Sequence, residues 1–189
     1  RIILRMKIFI NPGHDQTYDC GAVNNNYGIT EAAIAYEIGE KVAYYLNQVG
    51  YETQVMQSDN LCYDSPYVDR PYPVCQAAND WEADIFVSIH CNAANTVANG
   101  TETIVYRYGG DSTTLATCIQ DQIVNSLGTT DRGVKEMPKL IVLKHTNMPA
   151  VLVETAFIDN DSDALLLINN ADDFARAIAR GISDYVVHK

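Results

Sequence analysis

The chain has 189 residues, a length that fits one domain with a single sizeable core, and its hydrophobic (47%) and charged (20%) fractions are ordinary for a globular protein. Its formal net charge of −11 argues against binding to nucleic acid or to an anionic lipid surface, because both depend largely on Lys and Arg. No apolar run approaches the ~18 residues of a membrane span, so membrane insertion is not expected.

Residues 1–5 look unlike the rest of the chain, and we interpret them as an upstream linker or an expression remnant. Met6 looks like a natural start, and residues 6–189 contain no internal repeat, low-complexity tract or interdomain linker. We therefore expect residues 6–189 to form a single catalytic domain. No secretory signal is recognisable, so the sequence does not reveal an export route.

Short apolar runs alternate with amphipathic helical stripes along this domain. Helices are predicted over residues 31–49, 74–82, 112–127, 161–168 and 172–187, and Thr30 is a suitable N-cap for the first of them. Strands are predicted over residues 6–11, 51–56, 84–89, 101–106, 140–143 and 150–153. This alternation is typical of an α/β fold in which a mostly parallel sheet carries helices on both faces.

Residues 57–73 are predicted to form a loop, because prolines at 66, 71 and 73 exclude a helix or a central strand. The tyrosines at 63, 67 and 72 are equally compatible with the lining of a groove and with a packed lid.

The five cysteines are odd in number and contain no Cys-x-x-Cys pair; they are Cys20, Cys62, Cys75, Cys91 and Cys118. We expect most of them to be small buried hydrophobic residues rather than a disulfide framework. Cys91 follows His90 directly, but neighbouring residues of a strand point to opposite faces. Cys91 is therefore a poor candidate for a ligand in any site that His90 joins.

Four residues capable of metal or acid–base chemistry are predicted to meet at one edge of the sheet. His14 and Glu154 follow short buried strands, His90 ends another, and Glu31 opens the first long helix. Carboxyl ends of strands and amino ends of the following helices share one edge of an open α/β sheet, and sites form there. Each residue alone has a structural explanation, for example an acid in the first turn of a helix for Glu31. Their joint placement favours a site.

The residue types at this edge suit a catalytic zinc centre. His14, Glu31 and His90 can supply three zinc ligands and leave a fourth position open for water or substrate. Glu154 can then act as the general base on that water and as the acid toward a leaving nitrogen. An amide bond is the natural target, since its amine leaving group requires protonation.

The motifs around these residues resemble those of the zinc-dependent N-acetylmuramoyl-L-alanine amidases of the amidase-3 type, the peptidoglycan hydrolases of autolysins and endolysins. The matching blocks include Asn-Pro-Gly-His ending at His14, Ser-Ile-His-Cys-Asn around His90, Gly-Thr-Glu at 100–102 and Leu-Val-Glu-Thr-Ala-Phe-Ile-Asp-Asn around Glu154. The resemblance covers nearly the whole chain. It implies a twisted six-stranded sheet, His14, Glu31 and His90 as the ligands of one Zn²⁺ per chain, and Glu154 as the catalytic acid. It also implies peptidoglycan as the substrate and action outside the cell, in the wall.

The chain departs from the family pattern around the groove. Asp15 and Gln16 stand where glycines usually follow the first His, and Asp19 comes one residue late. Val74 replaces a usual Arg, for which Arg70 is the nearest substitute. These departures leave the ligands intact and affect the rim of the site.

Two alternatives stay open at the level of sequence. The same chemistry suits a zinc peptidase or amidase acting on another acyl-amine. A non-catalytic wall-binding module could share the fold, although its expected mark is the loss of a ligand or of the catalytic Glu. Lys144 and His145 could contact the carboxylates of a muramyl peptide, but a solvated loop pair is the simpler interpretation.

Overall fold

The computed structural model describes residues 5–62 and 72–189. Its centre is a six-stranded sheet with the strand order β4-β1-β5-β8-β6-β7. A small antiparallel ribbon, β2 paired with β3, lies outside this sheet. In this part of the chain the strands are β1 (Lys7–Pro12), β2 (Val23–Asn24), β3 (Ile29–Thr30), β4 (Glu52–Val55), β5 (Ile85–Asn92), β6 (Thr101–Val105), β7 (Asp131–Glu136) and β8 (Ala150–Phe157).

Neighbouring strands of the main sheet run parallel except at one position. The pairs β1–β4, β1–β5, β5–β8 and β6–β7 are parallel, whereas β6 is antiparallel to β8. The predicted mostly parallel sheet is therefore confirmed, and so is its strand number.

Helices cover both faces of the sheet. The helices among the described residues are α1 (Glu31–Gln48), α2 (Val74–Asp80), α3 (Gly110–Leu127), α4 (Ile141–Lys144), α5 (Asp161–Asn169) and α6 (Ala171–His188). One face packs against α1, α3, α5 and α6 through β-branched residues such as Ile10, Val87 and Val151. The other face packs against α2 and α4 through alternating positions of the same strands, such as Phe9, Phe86 and Leu152.

The first helix begins where the sequence indicates. Thr30 is its N-cap, and the Thr30 hydroxyl accepts a hydrogen bond from the backbone N–H of Ala33. The helix places Glu31 in its first turn, directly beside the sheet edge at which β1 ends. No helix among residues 5–62 and 72–189 is long and apolar enough to cross a membrane.

One predicted strand is wrong, and three described strands were not predicted: β7 of the main sheet and the two-residue strands β2 and β3. Residues 140–143 lie in the short helix α4 and its N-cap, and a four-residue apolar run such as this does not distinguish strand from helix. Strand β7 was missed because Asp131–Glu136 is a polar edge strand with a single apolar residue, Val134.

β5 and β8 extend beyond the predicted ends. Glu154 therefore lies within β8 rather than after it, and His90 lies within β5 rather than at its end. Most of the predicted loop 57–73, including Tyr63, Tyr67 and Arg70, lies outside the described residues, as do residues 1–4. The division of the chain at residue 5 stays a prediction.

Candidate active site

The sheet brings the four predicted site residues to one edge. His14 follows the end of β1, and Glu31 begins α1. His90 on β5 is paired in register with Glu154 on β8. Both point to the α2–α4 face, because side chains alternate along a strand and Phe86 and Leu152 pack on that face. The predicted meeting of the four residues at one edge is thus what the structure shows.

Three of the four side chains form a compact cluster around Glu31. His14 Nε2 lies 3.0 Å from Glu31 Oε2, and His90 Nδ1 lies 2.9 Å from Glu31 Oε1. One possible ligand atom from each residue lies within 4.8 Å of the other two. Glu31 is buried, whereas the two imidazoles are partly open to solvent. Three donors with one accessible side are the arrangement expected of a catalytic metal site.

Backbone amides fix the Glu31 carboxylate in this position. Its Oε1 accepts a hydrogen bond from the Cys91 N–H at 3.1 Å, and its Oε2 accepts one from the Ala22 N–H at 3.0 Å. Cys91 itself points to the opposite face and packs in the core beside Thr155, as its place next to His90 predicts. The described cysteines are all free thiols.

Asp19 orients the first histidine, a role that the sequence did not reveal. The Asp19 Oδ2 lies 3.0 Å from His14 Nδ1, and its Oδ1 accepts a hydrogen bond from the Gly21 N–H. An isolated bridge between Asp15 and Asp19 closes the turn that separates them. The altered spacing after His14 is therefore accommodated locally, and a carboxylate still fixes the ring of a possible ligand.

Two glycines are required by the close packing of this cluster. A Cβ at Gly13 would lie 2.2 Å from Cε1 of His90, and a Cβ at Gly21 would lie 2.6 Å from Oε2 of Glu31. His14 adopts φ 63°, an uncommon left-handed conformation for a residue with a side chain.

The cluster strongly favours positive charge. The hydrogen bond between His14 and Glu31 raises the pKa of His14 to about 9, although burial opposes this rise. Burial would raise the pKa of Glu31, but the hydrogen bonds with His14 and His90 outweigh it and hold that pKa well below its ordinary value. A buried carboxylate that stabilises an imidazolium will also stabilise a metal cation in its place.

Glu154 is held differently from Glu31. Its Oε2 is buried and has no hydrogen-bond partner among residues 5–62 and 72–189. Burial raises the pKa of Glu154 to about 7; the charge of His90 opposes this rise and that of Glu31 adds to it. A carboxyl group that titrates near neutrality can both accept and return a proton.

The second carboxylate beside Glu154 is neutralised by two cations. Glu102 on β6 is paired in register with Glu154. Burial would raise the pKa of Glu102, but Lys135 and Arg132 bind its Oε2 and lower that pKa. Its Oε1 accepts a hydrogen bond from Asn92. Both cations come from β7, the strand that the sequence analysis missed.

A cleft of about 410 Å³ opens onto the cluster. It is lined by Asn11, Gly13, His14, Asp19, Asp59, Leu61, His90, Lys139, Leu140, Ile141, Val142 and Leu152. Lys144 ends α4 and His145 is its C-cap; both are exposed and neither is among the lining residues, although the pair does not form the predicted loop. The lysine on the cleft is instead Lys139, which precedes α4 and which the sequence analysis did not single out.

The family profile, curated relatives and solved structures that match this chain include N-acetylmuramoyl-L-alanine amidases. A family profile described as N-acetylmuramoyl-L-alanine amidase matches residues 8–184. The N-acetylmuramoyl-L-alanine amidase LytC of Bacillus subtilis (strain 168) is 38% identical over 184 residues, which cover 94% of this chain and 35% of LytC. The sporulation-specific N-acetylmuramoyl-L-alanine amidase of the same organism is 33% identical over 177 residues, which cover 93% of this chain and 65% of that protein.

The solved structures include close matches to the whole fold. The crystal structure of the N-acetylmuramoyl-L-alanine amidase from Clostridium difficile 630 superposes with a TM-score of 0.82 at 32% identity and covers 98% of both chains. By contrast, this chain spans about a third of the length of LytC.

Proposed function

The chain belongs to the N-acetylmuramoyl-L-alanine amidase family, and we propose that it uses zinc to hydrolyse the amide bond between the lactyl group of N-acetylmuramic acid and the first L-alanine of the peptidoglycan stem. The observation that carries this proposal is the cluster of His14, Glu31 and His90 beside the unpaired oxygen of Glu154.

The residues present fit a zinc ion. Two imidazoles and one carboxylate are a common catalytic donor set, and the ligand atoms already lie within 4.8 Å of one another. We propose that His14, Glu31 and His90 hold the metal. When bound there, zinc would supply a Lewis acid that polarises the amide carbonyl and makes a water molecule easier to deprotonate.

Glu154 is proposed as the proton carrier of the reaction. Its pKa of about 7 leaves a substantial ionised fraction at neutral pH, so it can take a proton from the attacking water. The protonated carboxyl can then donate that proton to the departing nitrogen of L-alanine. Its Oε2 is available for both steps, because no side chain of the described residues holds it.

The two cations on β7 do not bind Glu154. The cations Arg132 and Lys135 are bound to Glu102 rather than to Glu154, so they do not hold Glu154 permanently ionised. We propose the bacterial cell wall as the place of action, because the substrate is found there.

Metal removal tests the proposal. Purified protein is expected to contain close to one zinc per chain, to stop clearing purified peptidoglycan after dialysis against a strong chelator, and to recover when zinc is added. His188, exposed at the end of α6, provides a control substitution that should change none of these results. Full activity in chelator with no metal detected would refute the zinc-dependent reaction.

A further inference from the structure

The cleft beside the metal cluster carries a fixed positive charge that the hydrolysis itself does not require. Lys139 lines the same cleft as His14 and His90. It precedes α4 and forms no ion pair with any residue among 5–62 and 72–189. In a protein with a net charge of −11, a lysine at this position gives local attraction for an anion where the chain as a whole offers none.

Two carboxylates also line the cleft, and neither of them forms an ion pair with Lys139. Asp19 is engaged by His14 through a 3.0 Å contact. Asp59 also lines the cleft, on the segment after β4. Neither forms an ion pair with Lys139, so the ammonium group is available to a ligand.

Apart from the imidazoles and Lys139, the surface of the cleft is mostly apolar. Leu140, Ile141 and Val142 adjoin Lys139 in sequence, and Leu61 and Leu152 complete this part of the lining. A volume of about 410 Å³ lies at the low end of the about 300–1,000 Å³ typical of ligand pockets. The cleft therefore combines apolar walls with the two imidazoles and one lysine, and it suits a short segment that carries small apolar groups and an anion.

The stem peptide has this chemistry on the peptide side of the proposed bond. The lactyl group and L-alanine each carry one methyl group. The next residue, D-glutamate, is linked through its side-chain carboxyl, so its α-carboxylate is free unless it has been converted to an amide.

We propose that Lys139 binds the α-carboxylate of this D-glutamate and makes the enzyme prefer stems in which that group is not amidated. The proposal rests on the proposed amidase function and names the part of the substrate that the cleft selects. The flexible four-carbon stem of a lysine allows it to follow a mobile peptide, and an exposed pair of this kind gives a modest preference.

Two soluble substrates test the subsite: N-acetylmuramoyl-L-alanyl-γ-D-glutamyl-L-lysine and its D-isoglutaminyl counterpart. The side-chain carboxyl of D-glutamate is linked in both, as it is in the stem, so they differ only in whether the α-carboxyl is a free carboxylate or an amide. The zinc-loaded wild-type enzyme is expected to show a KM roughly two- to five-fold lower for the free carboxylate, with little difference in kcat. Higher ionic strength should reduce this preference, since the pair is exposed to solvent.

Variants at two lysines separate the subsite from a general charge effect. Lys139→Met retains the length of the side chain without its charge and should abolish the preference, whereas Lys139→Arg should keep most of it. Lys144→Met is the matched control, because this exposed lysine lies five residues further on and outside the cleft lining. It should behave as the wild type.

Several results would overturn the inference. Equal KM values for the two substrates in the wild type would refute it, as would a preference that survives in Lys139→Met or falls equally in Lys144→Met. Failure to cleave either substrate with zinc bound would refute the proposed function itself, and this result is distinct from cleavage without preference.

Discussion

Replacing Glu154 with glutamine separates the chemistry of this residue from its packing. Gln has nearly the same shape but cannot accept the proton of the attacking water. We expect turnover on peptidoglycan to fall about 10²–10⁴-fold, the usual contribution of a general acid–base group. Zinc content should not change, because we propose His14, Glu31 and His90, and not Glu154, as the zinc ligands.

The same substitution should make the metal-free protein more stable at alkaline pH. Burial raises the pKa of Glu154 from its ordinary 4.5 to about 7, so the folded state disfavours the ionised form. This penalty is absent well below pH 4.5 and complete above about pH 7. The difference between the two pKa values, at about 1.4 kcal/mol for each pH unit, corresponds to at most about 3.5 kcal/mol.

Urea unfolding of chelator-treated wild type and Glu154→Gln measures this effect. The variant should be more stable by about 1–3 kcal/mol at pH 8, and the gain should fall below about 1 kcal/mol at pH 5. Glu52→Gln, at an exposed position on β4, is the control and should show neither effect. A variant that keeps more than a tenth of the activity, or that loses its zinc, would refute the assignment of Glu154 as the base.

Four further substitutions probe the proposed zinc site. His14→Ala and His90→Ala should each lose most of the bound zinc in elemental analysis, since two donors remain, whereas His188→Ala should retain it; retention by all three would contradict the ligand set. Gly13→Ala should also lose zinc and activity, because its Cβ would lie 2.2 Å from the His90 ring. Normal zinc content in a folded variant would contradict this close contact between residue 13 and His90. Asp19→Asn should weaken zinc binding about 10-fold in a competition titration. This effect is at the low end of the range for residues that orient a metal ligand, because Asp19 is exposed. Unchanged zinc affinity would rule out that role.

Much of the fold follows from periodicity alone. The stripe that defines α1, with Thr30 as cap, and the apolar runs of β1, β5 and β8 have strong local signals. Strand β7 has none, since its place in the sheet depends on pairing with β6 and not on buried side chains. Residues 140–143 illustrate the opposite case: the run is apolar enough for a strand, yet it forms α4.

The site was predictable to the extent that strand ends determine it. His14, Glu31, His90 and Glu154 could be placed at one edge because parallel strands deliver their carboxyl ends together. The role of Asp19 in orienting His14 could not be found in this way, since it depends on the conformation of a loop.

The surroundings of the site were also beyond the sequence. The binding of Glu102 by Lys135 and Arg132 requires the pairing of β6 with β7, which no local pattern reveals. Whether Lys139 or Lys144 lines the cleft depends on how α4 lies against it, which no sequence pattern reveals.

The bond that is cut tests the central claim most directly. Purified peptidoglycan digested by the zinc-loaded protein should release new amino termini of L-alanine, identified by labelling and hydrolysis, with no increase in reducing sugar. Glu154→Gln, examined in parallel, should release neither. New reducing ends would indicate a glycosidase, and new amino termini from residues deeper in the stem would indicate a peptidase; either result would contradict the proposed function.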